Sequence, residues 1–310
     1  MKRVALVTGA TGYIGSHVVA RLVGMGWDVH ALIRRESSVS ALARMANKIE
    51  LHVMDGHRNG GDLYDIIGAA NPQIVFHLAS LFQAEHKRGD IPLLIESNIA
   101  FGAKLVDAML ENGVRNFINT GTSWQHYNGD AYNPVSLYAA TKQAFEAIIA
   151  FYVESSHLKV ITLKLSDTYG PGDRRRKLFT LLRDSAERQD SILMSPGEQF
   201  VDLVYIDDVV QAYVVAAERL LNTTDCREEY SVSSTELYKL REVVEMYADI
   251  AQVNLQVQWG GRAYRKREVM VPWRTGRWLP GWQPIVSLAD GIRRMEADHS
   301  ENAMNSKDNS

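Results

Sequence analysis

The chain has 310 residues, 46% of them hydrophobic and 23% charged, with a net charge of −3. This is globular composition, with apolar side chains enough for a large core in one elaborated domain or two lobes. Charges of both signs are interspersed, which argues against a nucleic-acid-binding face or a polybasic membrane patch.

Short apolar runs alternate with amphipathic segments through the first half. Strands are predicted at residues 3–8, 28–33, 49–54, 73–78, 116–120 and 160–165, and helices at 14–23, 92–111 and 137–154. Strands alternating with helices predict an α/β fold, a parallel sheet covered on both faces. The regularity stops near Ser166. A Gly170-Pro171-Gly172 turn follows, then the basic run Arg174-Arg175-Arg176-Lys177, a helix over 177–187, a strand over 203–206 and a helix over 209–221. Beyond Ser231 the pattern is mixed and rich in Trp and Arg. We therefore expect a sheet domain over 1–165 with a returning segment at about 202–230. A smaller lobe is expected from 166–201 and 231–297. The polar stretch 298–310 is expected to be a disordered tail.

The only cysteine, Cys226, rules out an intramolecular disulfide framework, and the nine histidines show no metal-ligand spacing, so no metal site is expected. Val4-Ala5-Leu6-Val7 is too short for a signal peptide or a membrane span, and a cytoplasmic, reduced setting is the expectation.

Val4 to Gly15 reads as a strand, a glycine turn (Gly9, Gly12, Gly15) and the start of a helix. Such glycines permit a tight turn, close approach to a diphosphate and close helix–strand packing. The helix N-terminus adds free N–H groups and a positive dipole end. This predicts a dinucleotide site around Gly9, Thr11, Gly12, Tyr13 and Ile14. The spacing is Gly-x-x-Gly-x-x-Gly rather than Gly-x-Gly-x-x-Gly. A carboxylate at the end of the second strand would accept from the adenosine ribose of NAD. Ile33 stands in that slot, followed by Arg34, Arg35, Glu36 and Ser37. The two arginines suit a 2′-phosphate, which favours NADP(H) over NAD(H). The other reading leaves them solvated with Glu36 as the acid. Asp55, followed by Gly56, is placed to accept from the adenine amino group, or is a plain loop aspartate.

Tyr138 and Lys142 lie four residues apart on a predicted helix and so share one face. A neighbouring ammonium favours the phenolate and lowers the tyrosine pKa from its usual value of about 10. The pair is then suited to proton exchange with a carbinol or carbonyl oxygen.

Together these pieces resemble the extended short-chain dehydrogenase/reductases, which act mostly on nucleotide sugars. The matching segments are Thr8 to Gly15, His77-Leu78-Ala79-Ser80, Ser97-Asn98, Thr120-Gly121-Thr122-Ser123, Tyr138-x-x-x-Lys142, Tyr169 to Gly172 and Val204 to Asp208. The resemblance implies a Rossmann-like doubly wound sheet carrying NAD(P), with a C-terminal lobe closing over a nucleotide sugar. It implies Tyr138 as acid/base, Lys142 as the group that tunes it and holds the nicotinamide ribose, and Thr122 as the substrate-oxygen anchor, with Ser123 as fallback. Leu78, Ala79, Ser80, Asn98, Thr120 and Leu165 are implied as further cofactor-site residues. Ser123, Trp124, Asp167, Arg176 and Arg265 are implied at the substrate.

The departures narrow the reading. Relatives that dehydrate nucleotide sugars carry Asp-Glu after the catalytic Thr, where this chain has Ser123 and Trp124. Val201 replaces an arginine that many relatives place before Asp202, leaving Arg265 and Arg174 to Arg176 as diphosphate candidates. Tyr132 to Glu146, after Thr-Ser-Trp, is similar to the abequose and paratose synthase branch, which reduces a CDP-linked 4-keto sugar with NADPH. Trp124, His126 and Tyr127 either line the sugar pocket or pack a loop. The rival readings are a 4-epimerase with bound NAD and a non-catalytic dinucleotide sensor. Relatives often form homodimers through a four-helix bundle, here the helix after Asn98 and the one bearing Tyr138.

Overall fold

The computed structural model describes residues 2–54 and 62–307; Asp55 and Gly56, expected at the adenine end of the cofactor site, lie outside the described residues. Strand β1 (Val4–Thr8) leads into helix α1 (Tyr13–Gly24), followed by β2 (Asp28–Arg34) and β3 (Ile49–Met54). Helix α2 (Leu63–Ala70) and β4 (Ile74–His77) come next. Then come α3 (Ile91–Ile95), a π-helical turn (Glu96–Ala100) and α4 (Phe101–Glu111), in place of the single helix expected over 92–111. Strand β5 (Asn116–Thr122), helix α5 (Leu137–Ser156) and β6 (Lys159–Leu165) complete the regular half. The expected strands agree with these to within two residues at each end.

The described residues form a seven-stranded sheet in the order β11-β6-β5-β4-β1-β2-β3, where β11 is Arg227–Val232. Each neighbouring pair is parallel. This is the doubly wound Rossmann-like order, and the sequence of strands reverses its march between β1 and β4 while all strands point the same way. Ligands of open α/β sheets bind beyond the strand C-termini at that switch point. The central strands are buried on both faces, as their apolar runs require: Ala5, Leu6, Val7, Ile74, Val75 and Phe76 are inaccessible.

Three short pairings build the second lobe. Strand β7 (Asp167–Tyr169) pairs with β10 (Leu203–Tyr205), β8 (Ile192–Met194) with β13 (Val257–Trp259), and β9 (Phe200–Val201) with β12 (Tyr238–Lys239). Helices α6 (Leu178–Arg188), α7 (Ile206–Asn222), α8 (Leu240–Ala251) and α9 (Leu288–Lys307) pack around them. The core is continuous across both parts, joining Val7 and Ile118 of the sheet to Phe179, Tyr247 and Ile292. Helix α9 runs through the stretch from Asp298 that was expected to be a tail: Ile292 and Met295 anchor it in the core, and the helix continues to Lys307. Among the described residues no helix is long and apolar enough to cross a membrane.

Candidate active site

The glycine turn sits at the switch point and leaves space that side chains would fill. Gly9 has φ +67°, and a Cβ there would lie 2.6 Å from the backbone nitrogen of Ala79, after β4. A Cβ on Gly15 would lie 2.1 Å from the Gly9 carbonyl oxygen, so α1 starts hard against the turn. Gly12 caps α1 with no side-chain hydrogen bond, which leaves N–H groups at the helix start for an anion. The Tyr13 hydroxyl is buried without a partner among the described residues, beneath Gly170, and burial raises its pKa strongly. Thr11 and Ile14 flank the turn, half-buried. These features fit a dinucleotide diphosphate. At the far end of β2, Ile33 is buried, and Arg34 is exposed beside Glu36 at 3.3 Å, with Arg35 following.

The β4 end is locked by hydrogen bonds. His77 Nδ1 lies 2.9 Å from Thr8 Oγ1, and Ala79 N–H donates to the same hydroxyl at 3.2 Å. Burial and the nearby Lys142 charge push the His77 pKa down to about 3, so the ring is neutral. Leu78 continues from β4 with its N–H on the Thr8 carbonyl.

Asn98 lies in the π-helical turn and is 1% exposed. Its carbonyl oxygen accepts from Leu81 N–H (2.7 Å) and Ser80 Oγ (3.2 Å); its amide donates to the Leu81 carbonyl (3.0 Å) and Thr141 Oγ1 (3.0 Å). Both ends of the amide are occupied within the protein. A π-turn at this point matches the frequent use of π-bulges at functional sites. Thr120, at the end of β5, is also engaged within the protein. Its hydroxyl donates to the His77 carbonyl (2.8 Å) and meets Tyr213 Oη at 2.7 Å.

Ser136 caps α5, its hydroxyl accepting from Ala139 N–H, and this cap fixes where Tyr138 emerges. Tyr138, Lys142 and Glu146 then follow at four-residue steps along one buried face. Burial pushes the Tyr138 pKa up to about 12, against a lowering by the Ser80 hydroxyl. The expected depression is therefore reversed in the protein alone. Lys142 is not among the groups that shift Tyr138, and its own pKa is pushed down to about 8 by the same burial. Phe82 meets the Tyr138 ring edge-on at 5.0 Å.

Thr122 ends β5 in register with Leu165 at the end of β6. Its N–H donates to Gln125 Oε1 at 3.0 Å, and its hydroxyl accepts from Trp124 N–H at 3.3 Å. Gln125 Nε2 in turn reaches Glu146 Oε1 at 3.0 Å, and Lys164 Nζ binds both Glu146 oxygens at 2.9 and 2.7 Å. A Cβ on Gly121 would lie 2.7 Å from the Lys164 chain and 3.1 Å from Gln125 and Glu146. Sequence reading missed this buried cluster. Its one visible signal is Glu146, four residues after Lys142.

Beyond the strand ends lies a cleft of about 610 Å³ between sheet and second lobe. It is lined by the five expected substrate residues, Ser123, Trp124, Asp167, Arg176 and Arg265. His126, Tyr127 and Val201 line it too. Arg265 lies 5.3 Å over the Trp124 ring and pairs with Glu268 at 2.8 Å. Arg176 is exposed to the cleft. Burial would raise the Asp167 pKa, but Lys177 at 2.9 Å, with Arg175 and Arg265, holds it below the usual carboxylate range. Lys177 was not expected here. Arg175 is turned away, onto Asp173 and over the Tyr13 ring at 4.5 Å.

The sequence profile of the NAD dependent epimerase/dehydratase family matches residues 5–232. The chain belongs to that family, and is an NAD(P)-dependent enzyme of the short-chain dehydrogenase/reductase type. It is similar to a CDP-abequose synthase of Yersinia pseudotuberculosis, 26% identical over 271 residues, covering 86% of this chain and 90% of the relative. It is also similar to a UDP-glucose 4-epimerase of Mycolicibacterium smegmatis, 26% identical and covering 93% and 96%. Among solved structures, MoeE5 in complex with UDP-glucuronic acid and NAD superposes with a TM-score of 0.79 at 25% identity, covering 96% of this chain and 99% of that one.

Proposed function

We propose that this enzyme is an NADPH-dependent reductase of a nucleotide-linked 4-keto-deoxyhexose, of the CDP-abequose or CDP-paratose synthase type. One observation carries the reading. Ser123 and Trp124, which follow Thr122 and line the cleft, offer no acid and base for eliminating water. That sets dehydration aside and leaves reduction, or reversible oxidation and reduction at one carbon, as chemistry for Tyr138. Similarity to CDP-abequose synthases over most of the chain supports it.

The nicotinamide dinucleotide, when bound, supplies the hydride to the keto carbon. Gly9 to Ile14, Leu78 to Ser80, Lys142 and Leu165 would hold it, and Arg34 with Arg35 would take a 2′-phosphate. Tyr138 donates its proton to the sugar oxygen as charge develops there. The Thr122 hydroxyl holds the same oxygen. Lys142, charged below its pKa of about 8, compensates the phenolate left behind. Arg176, Lys177 and Arg265 supply positive charge at the cleft for the diphosphate, and Trp124 packs the sugar.

A 4-epimerase reading has its own support: the similarity to UDP-glucose 4-epimerase, and Glu36 beside Arg34, which provides an acid for a ribose. We place the enzyme in the reduced cytoplasm, which fits its single exposed thiol, Cys226. We also propose a homodimer through α3–α4 and α5, where Leu93 is 60% and Phe151 63% exposed.

Purified protein mixed with NADPH and a panel of CDP- and dTDP-linked 4-keto sugars tests the reading. NADPH is consumed stoichiometrically with at least one of them. No consumption with any, together with reversible inversion of a hydroxyl by protein-bound NAD, would establish the epimerase instead.

A further inference from the structure

A second convergence of donor atoms lies away from the cleft, on the edge of the sheet. Strands β4 and β1 separate it from β5. His30 on β2 is in register with Glu50 on β3, and His52 lies two residues further along β3. Side chains two apart on a strand share a face, so all three project from one side of the β2–β3 ladder. The imidazoles stack at 5.1 Å, and His30 Nδ1 meets His52 Nε2 at 2.8 Å. The two Glu50 carboxylate oxygens stand 3.7 Å from these nitrogens, one from each.

A hydrogen bond between two histidines accounts for one nitrogen pair but not for a carboxylate brought to both. From a shared ion, nitrogen and oxygen ligands at about 2.0–2.2 Å in tetrahedral array sit roughly 3.4 Å apart. The observed separations bracket that value. The histidines are nearly buried, with side chains 9% and 11% exposed, while Glu50 is 64% exposed and gives an ion a way in. Two imidazoles and one carboxylate are a borderline donor set that suits zinc and its neighbours rather than magnesium or calcium.

We propose that His30, Glu50 and His52 bind one zinc-class divalent ion, which clamps edge strand β3 to β2. Sequence spacing hides the site, because His30 and His52 are 22 residues apart and only strand register joins them. Among the described residues no fourth donor joins these three, and none of the three lines the cleft, so the ion's effect is expected on stability and not on turnover.

Chelator-treated full-length protein titrated with Co²⁺ reads the site directly. One equivalent should bind and give the intense visible absorption of low-symmetry, tetrahedral cobalt. Zn²⁺ at a hundredfold excess over its dissociation constant should raise the unfolding midpoint by roughly 4 °C. His52→Ala should abolish the absorption. Glu50→Gln, at an exposed side chain that folding does not need, should weaken binding at least about tenfold while leaving turnover unchanged. Absence of one-equivalent binding, or Co²⁺ binding to Glu50→Gln and His52→Ala as tight as to the parent, would overturn the assignment.

Discussion

Lys164 and Glu146 meet at 2.7 Å inside the protein, their side chains 1% and 3% exposed, one helical turn beyond Lys142. Gln125 joins the pair to the backbone N–H of Thr122. The cluster therefore reaches two of the proposed catalytic groups from behind. Removing one partner of a buried ion pair leaves the other charge uncompensated, at a cost of about 3–5 kcal/mol. Lys164→Met should lower the unfolding free energy by that order, measured by urea titration. The double variant Glu146→Leu/Lys164→Met should recover most of the loss. An unchanged midpoint in the single variant would show that the pair contributes nothing.

Asn98 makes four hydrogen bonds that tie the segment after β4 to α5 through Thr141, whose hydroxyl also donates to the Tyr138 carbonyl at 2.7 Å. Asn98→Ala should depress kcat at least about tenfold, since misplacing a reacting group by around 1 Å can cost a hundredfold. Its effect on dinucleotide affinity should be smaller. Equal losses in affinity and kcat would make Asn98 a cofactor contact instead.

Lys142 is lowered to about 8 from an ordinary value of 10.5 because burial disfavours its charge. Between those values the unfolded chain binds more protons than the folded one, so stability rises with pH across about 8 to 10.5. Below that window the buried charge is a standing cost. Lys142→Met should therefore raise the unfolding free energy at pH 7 by about 3 kcal/mol, at 1.36 kcal/mol per unit, while abolishing turnover. A destabilised Lys142→Met would show that Lys142 is compensated within the protein.

His77 gives the matching limb in acid. Its ring stays neutral down to a pKa of about 3 in the folded state, against 6.5 when unfolded. The unfolded chain again binds the extra proton, so stability falls as pH drops from 6.5 towards 3. His77→Asn should flatten that dependence in urea titrations across this range. An unchanged slope would assign the acid limb to other groups.

The arginines after β2 are the sequence feature on which NADPH rests. Arg34→Glu should weaken NADPH binding by at least about tenfold, through loss of charge-assisted contacts to a phosphate, and leave NADH affinity nearly unchanged. Equal effects on both dinucleotides would remove the basis for the preference.

Much of this fold was legible in the residues. The central strand β1 is a bare apolar run, and edge strand β3 alternates apolar with polar residues; the segments 3–8 and 49–54 mark them closely. Strand β11 was not, because Arg227-Glu228-Glu229 opens it with three charges; in the fold Glu228 is buried against Arg219 of α7 and the Tyr230 hydroxyl. Helix α8 carried a readable pattern, with Leu240, Val243, Val244 and Tyr247 at helical spacing and all buried, inside a stretch that looked mixed as a whole. In the cleft, the motif residues Ser123, Trp124, Asp167, Arg176 and Arg265 came together as expected. The Gln125–Glu146–Lys164 cluster did not announce itself, because its members sit on a 3₁₀ turn, a helix and a strand that only the tertiary structure joins. The raised Tyr138 pKa was hidden for a similar reason: spacing places a lysine nearby, and burial decides the balance.

In the proposed reaction hydride ends on the sugar, with Tyr138 supplying the proton. A reaction of NADPH carrying two deuteriums at C4 of the nicotinamide with a CDP-linked 4-keto-deoxyhexose follows that hydride. One deuterium should appear at sugar C4 per NADPH oxidised, and Tyr138→Phe should bind NADPH without turnover. Sugar inverted at C4 without deuterium, no net NADPH oxidation, or full activity in Tyr138→Phe would contradict it.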